Sequence, residues 1–109
     1  LLGDAAHPML PHLGQGANQS IEDGMALATI LARSSPKSAP AALLAYERLR
    51  RERVAQVQRG ARENGLRYDS AYSDLGLRDA EIAAHAAFRR TLYDHDVVPD
   101  AQAAAMALA

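Results

Sequence analysis

The sequence predicts a mainly α-helical chain: a strand stub and a loop at the start, followed by three helices. Three observations carry this reading. Hydrophobic residues make up 49% of the 109 and aromatic residues only 5%, with no Trp, so the core rests on Leu, Ile, Val, Met and especially Ala, the best helix former. Apolar positions recur at helical spacing in three stretches. Clusters of Pro, Gly and Ser separate those stretches.

Leu1-Leu2 running into Gly3-Asp4, with no initiator methionine, reads as the tail of a strand in a late piece of something longer. Pro8, Pro11, Gly14 and Gly16 then prevent any regular element. A helix is expected from about Ala17-Asn18 to Arg33, with Ile21, Met25, Ala28 and Ala32 on one stripe. Glu22 and Asp23 suit the positive end of its dipole. Residues 34–38, SSPKS, break the pattern; Ser38 is placed to cap the next helix, with Pro40 tolerated in its first turn.

That second helix is expected from Ala39 to Asn64, with an inner stripe of Leu43, Tyr46, Val54, Val57 and Ala61. Arg50 lies on the same stripe, snorkelling or paired with an acid. Gly60 weakens the last turns, and Asn64-Gly65 is a stop signal. Residues 67–78 read as loop. Asp79 is placed to cap a third helix, Ala80 to about Tyr93, built on Ile82, Ala86 and Leu92. The alanine-rich tail after Pro99 is expected to fray or to dock as a short helix. The chain thus divides into residues 1–33, loop and first helix, and residues 34–109, a C-terminal helical region, with no internal repeat.

Charge and composition exclude several classes. A formal net charge of −1 creates no field that draws in nucleic acid or an anionic membrane. Six arginines and three glutamates between Glu47 and Glu63 describe a solvated face with pairs such as Glu47–Arg51 rather than a phosphate-binding surface. The absence of Cys removes disulfides, thiolate metal sites and a cysteine nucleophile. No apolar run approaches the roughly 20 residues that span a bilayer, and no signal-like start is present. A cytoplasmic location is expected. Asp4, His7 and His12 match no common ligand spacing, so no metal site is expected and His7 is read as a structural hydrogen-bonding residue.

The chemistry concentrates in GDAAHPMLPHLGQGAN, Gly3 to Asn18. A carboxylate follows the strand's end at once, and a Pro-punctuated loop leads to a Gly-x-Gly turn at a helix start. Ligands of open α/β sheets bind outside such strand ends. Bare N–H groups at a helix N-terminus suit an electron-rich oxygen, and glycines let a flat ligand approach the backbone. One acceptor, Asp4, and a cluster of donors therefore point to a cofactor without naming it.

The segment resembles the second flavin-binding signature of the class A flavoprotein monooxygenases, the family of salicylate, 3-hydroxybenzoate and 4-hydroxybenzoate hydroxylases. The residues that carry it are Gly3, Asp4, Ala5, Ala6, His7, Pro8, Pro11, Gly14, Gly16, Asn18, Glu22 and Asp23. The match is strong from Leu1 to about Leu31; beyond it, Tyr46–Gly65 and Leu92–Asp96 look like the salicylate-hydroxylase branch. The resemblance implies a larger α/β FAD-binding fold. It implies that Asp4 binds a ribityl hydroxyl of FAD, with Gly3 permitting the contact. The amides of Gly16, Ala17 and Asn18, after the turn at Gly14, would face the N1–C2=O edge of the isoalloxazine. Pro11 would lie beside the ring and exclude water. His12 stands where many relatives carry an apolar or aromatic residue, and is a candidate for the substrate pocket or for a catalytic base. Gly24 replaces the usual alanine.

In that family NAD(P)H reduces the flavin and O2 is the co-substrate that hydroxylates a phenolic ring. The first dinucleotide fingerprint, the middle signature and the substrate sheet are not in these 109 residues, so the chain alone is expected neither to retain FAD nor to hydroxylate. Its partners would be an aromatic small molecule, O2 and the N-terminal part of the enzyme, with self-association of exposed apolar stripes. Two other readings share the motif: a non-catalytic helical interaction module, and a related FAD epoxidase or oxidase.

Overall fold

Helix formation begins where the spacing of proline and glycine ends. In this computed structural model, which describes residues 1–108, four α-helices follow the opening loop: α1 (Gly16–Leu31), α2 (Ala39–Tyr68), α3 (Leu75–Tyr93) and α4 (Val97–Met106). The loop itself contains two short 3-10 turns, Gly3–Ala5 and Pro11–Leu13. Leu2 has an extended backbone at φ −148° and ψ 149°, yet among the described residues there is no strand. A strand needs a neighbour to take its hydrogen bonds, and these residues supply none.

The core is small and built on close approach. α1, α2 and α4 meet around Ala26, Ile30, Ala42, Tyr46, Val97, Ala101 and Ala105. Ala26, Ala42 and Ala101 are fully buried, and their single methyl groups let the three backbones come together. Ile30, also fully buried, contributes roughly 1.5–3 kcal/mol through its burial. The alanine-rich tail is therefore a docked helix. Asp96 caps it by accepting from the Val98 amide at 2.9 Å, and Pro99 sits in its first turn, where no backbone donor is required.

Several expected bounds and faces move. α2 runs through Asn64-Gly65 to Tyr68, because both residues are buried against the loop and tertiary contacts override the stop signal. α3 starts at Leu75: Asp74, and not Asp79, accepts from the Gly76 and Leu77 amides at 2.8 and 3.1 Å. Ser38 makes no cap; its hydroxyl is engaged with Ser35 instead. On α1 the inward face is Gln19, Asp23, Ala26 and Ile30, while Ile21, Met25, Ala28 and Ala32 are exposed. On α2 Ala42 replaces Leu43 as the buried residue, and on α3 Ile82 and Ala86 face out while Leu92 is buried. On α1 the cause is polar: the helix is turned so that its carboxylates meet the arginines of α2. The ion pairs of α2 accordingly run from Arg50 and Arg53 to α1 and from Arg67 to Glu81 of α3, and Glu47–Arg51 is not among the pairs of the described residues.

The molecule is elongated, 59 × 24 × 16 Å, because α2 extends well beyond α1. α3 lies along that extension, and the contact depends on Gly60. A Cβ there would stand 2.4 Å from the Phe88 ring and 3.3 Å from Leu13 Cδ1. Among the described residues no helix is long and apolar enough to cross a membrane. Gly60→Val is expected to displace α3 and destabilise the chain by about 1–3 kcal/mol. Gly24→Ala, where nothing stands within 4 Å of the new methyl, should stabilise it by up to about 1 kcal/mol. Urea denaturation followed by far-ultraviolet circular dichroism reads both.

Candidate cofactor-binding loop

The loop from Gly3 to Asn18 is held by α1 and α2. Gly3 adopts φ +61°, a left-handed conformation that favours glycine, and a side chain there would also press 2.9 Å from Ser20 Oγ. Its carbonyl accepts from the amides of Ala6 and His7, each at 2.9 Å, which closes Gly3–His7 into a tight turn. Its own amide donates to Asp23 Oδ2 at 2.9 Å. Further on, Gln58 Nε2 donates to the Pro8 carbonyl at 2.9 Å and Asn64 Nδ2 to the His12 carbonyl at 2.8 Å. Gly14, at φ +62°, makes the final reversal into α1.

Beneath the loop lies a buried charged network. Asp23 is fully buried and Arg50 nearly so. Arg50 Nε donates to Asp23 Oδ1 at 2.7 Å, one terminal nitrogen donates to Glu22 at 2.8 Å, and the other to Gln19 Oε1 at 2.8 Å. His7 Nε2 is bonded to Asp23 Oδ2, the same oxygen that holds the Gly3 amide. Arg53 joins Glu22 to the carbonyls of Thr91 and Leu92, so it also closes the C-terminal turn of α3.

Burial alone would push Asp23 up; the bonds from Arg50, the Gly3 amide and His7 outweigh it and hold the carboxyl below its ordinary 3.8. Burial likewise opposes ionisation of Glu22, and Arg53 and Arg50 bring it below 4.5. Tyr46 is pushed up to about 12 by burial and by the negative charge of Asp23.

Of the residues singled out from the sequence, Asp4, Pro11, Gly14, Ala17 and Asn18 are exposed, Gly16 and His12 are half-buried and Gly3 is buried. Asp4 is exposed, and its carboxylate comes within 3.9 Å of where a Cβ on Gly16 would stand. Gly16, Ala17 and Asn18 are the first three residues of α1; neither the backbone nor the Gln15 side chain caps their amides. Pro11 is exposed at the start of its 3-10 turn. His12 is directed onto α2: its ring occupies the place of a Gly65 side chain, 2.6 Å from that ideal Cβ, and lies 5.8 Å from the Tyr68 ring. Tyr72 donates to the Glu81 carboxylate. Among the described residues no group of three His, Asp or Glu side chains stands together as a metal site.

A groove of about 1020 Å3 runs between Leu1, Leu2, Leu27, Leu43, Leu44 and Val54, and none of the loop's candidate ligands lines it. His7 and Tyr46 border it. Sequence reasoning did not find Ser20, Gln58, Asn64 or the packing roles of Gly60 and Gly65. The two glycines inside a helix were the available signal, since glycine there marks close approach of another element.

An exposed carboxylate, a bare helix N-terminus and a backbone cleared by glycine give the loop one acceptor beside a cluster of donors. The FAD binding domain family matches residues 1–61, and the chain belongs to that family. It is 46% identical over 101 residues to the FAD-dependent monooxygenase notI of Aspergillus sp. (strain MF297-2), covering 90% of this chain and 22% of that protein. It is 54% identical over 65 residues to 3-amino-4-hydroxybenzoate 2-monooxygenase PtnB3 of Streptomyces platensis, covering 60% and 16%. Salicylate hydroxylase of Pseudomonas putida is 39% identical over 103 residues, covering 92% and 24%. The chain thus spans about a fifth of the length of these curated relatives. No solved structure matches it at a significant level.

The charged network makes stability depend on pH in two directions. Glu22 and Asp23 have lowered values in the fold, so their contribution is complete above 4.5 and 3.8 and is lost as pH falls below them. Tyr46 has a raised value, so its contribution is full below 10.0 and is lost as pH rises towards about 12. Thermal midpoints measured across pH are expected to fall at both ends, and Asp23→Asn to flatten the acid limb.

Proposed function

We propose that Gly3–Asn18 holds the ribityl chain and pyrimidine edge of FAD within an NAD(P)H- and O2-dependent monooxygenase that hydroxylates a phenolic, salicylate-like aromatic. The observation that carries this reading is the juxtaposition of the Asp4 carboxylate with Gly16, at the uncapped N-terminus of α1. Asp4 accepts from a ribityl hydroxyl, and the left-handed turn at Gly3 sets its direction. The amides of Gly16, Ala17 and Asn18 donate to the N1–C2=O edge. The positive end of the α1 dipole favours negative charge on that edge, which is where two-electron reduction places it. Gly14 and Gly16 keep side chains out of the approach.

Pro11 and His12 are the candidates on the reacting side. Pro11 excludes water beside the ring, and His12, tied at its carbonyl by Asn64, shapes the adjoining substrate wall. When bound, FAD supplies hydride acceptance from NAD(P)H and the activation of O2; the chain supplies position, donors and dryness. The substrates that name two of these relatives, 3-amino-4-hydroxybenzoate and salicylate, favour an aromatic acid carrying a phenol.

Residues 1–33 form the cofactor contact in this reading and residues 34–109 its helical support. Both work in the cytoplasm inside a longer polypeptide whose N-terminal part binds the rest of FAD. The exposed Ile21, Leu44, Leu66 and Ile82 are surface for that remainder to cover, and in isolation they drive self-association.

The full reading frame, purified, is expected to carry one FAD per chain and to oxidise NAD(P)H faster when salicylate is added. The 109-residue chain alone should retain none. Gly16→Leu, which fills the space beside Asp4, should weaken FAD binding at least about tenfold. Titration of the apoprotein by flavin fluorescence reads it; unchanged affinity in that variant would remove the proposed contact.

A further inference from the structure

The carboxylate of Asp23 occupies a position where packing alone calls for a hydrocarbon. It shares the inward face of α1 with Ala26 and Ile30 and is itself fully buried. Burying a charge there is costly, and a well-packed apolar residue in place of such an ion pair is commonly neutral or stabilising. What Asp23 does that leucine would not is receive the loop. Its Oδ2 takes the Gly3 amide at 2.9 Å and the His7 ring, so both ends of the turn Gly3–His7 hang from one oxygen, with Asp4 between them. Its Oδ1 takes Arg50 Nε at 2.7 Å. Arg50 is fixed in turn by Glu22 and by Gln19, so the carboxylate has little freedom to rotate.

The other side of the turn is also bounded. Ser20 Oγ, bonded to the Gly16 carbonyl at 3.0 Å, stands 2.9 Å from where a Gly3 Cβ would be, which limits how far Gly3 can swing. A continuous set of contacts therefore joins α2, through Arg50 and Asp23, to the residue next to Asp4. We propose that Asp23 and Arg50 are positioning residues for the cofactor: they set the place of Asp4 against the N-terminus of α1, and FAD affinity is transmitted through that placement. The inference rests on the reading of Asp4 as the ribityl ligand. Glu22 divides the network, because it braces Arg50 and Arg53 and touches no part of the turn.

The test is a double-mutant cycle in the full-length enzyme, with the dissociation constant for FAD as readout. Asp4→Ala is expected to weaken FAD at least about tenfold, and Asp23→Asn by a comparable factor. In the Asp4→Ala background Asp23→Asn should cost less than about twofold, because its effect is exerted through a side chain already gone. Arg50→Lys, which cannot reproduce the forked contacts, should show the same dependence on Asp4. Glu22→Gln, whose amide oxygen still accepts from Arg50 and so keeps its brace while losing the charge, should lower the thermal midpoint and leave FAD affinity within about twofold.

Equal losses in both backgrounds, or an affinity loss in Glu22→Gln matching that of Asp23→Asn, would show a general structural role and overturn the inference while leaving Asp4 as a ligand. An Asp4→Ala enzyme that binds FAD normally would instead overturn the underlying reading. Should Asp23→Asn not fold, His7→Gln, which removes one of the two ties to Oδ2, carries the same comparison and the same criteria.

Discussion

Asp23 accepts the Gly3 amide, the His7 ring and the Arg50 guanidinium while fully buried, and the placement of the loop follows from those bonds. The pair it makes with Arg50 is not a general stabiliser, since desolvating two charges costs about as much as their attraction returns. Its value is directional. A carboxylate has a small set of lone-pair directions, and three donors, two from the loop and one from α2, determine how those elements sit on α1. Rotation of α1 that would bury Ile21 and Met25 in this chain would pull Asp23 out of that arrangement.

Glycine gives the second constraint, and it acts in two distinct ways. Gly3 and Gly14 supply left-handed turns that shape the loop. Gly60 and Gly65 are ordinary helical residues whose missing side chains admit Phe88 and His12 onto α2. The loop is therefore pressed against α2 at the His12 turn while Asn64 and Gln58 hold its carbonyls, and α1 presents its N-terminal amides beside it. The open side of the loop carries the proposed ligand groups, and the sides that face the helices carry the bonds that hold it.

The thin core and the many exposed apolar side chains belong to the same picture. The chain corresponds to about a fifth of the relatives it matches, and its elongated form keeps α1, α2 and α3 each with one face uncovered. α4 nonetheless docks firmly, because alanine at Ala101 and Ala105 allows a short helix to bury enough backbone-proximal surface against Ala26 and Ile30. Small residues exchange side-chain volume for close approach, which is why an alanine-rich segment that looks featureless along the sequence becomes part of the core.

Helices were legible from spacing, and the candidate cofactor loop was proposed from Gly3, Asp4, Gly14, Gly16 and Asn18, because turn chemistry, helix propensity and motif order are local properties. The family followed from the same residues. The buried faces of α1 and α3, the run of α2 past Asn64-Gly65 and the capping of α3 by Asp74 were decided only in three dimensions. Each depends on partners twenty or more residues away or on competition between two local caps, and spacing carries no information about which polar residue will find its counterpart. Arg50 shows the division well: its place on the inner stripe marked it as snorkelling or paired, and only the packing of α1 on α2 chose Asp23, Glu22 and Gln19 as its acceptors.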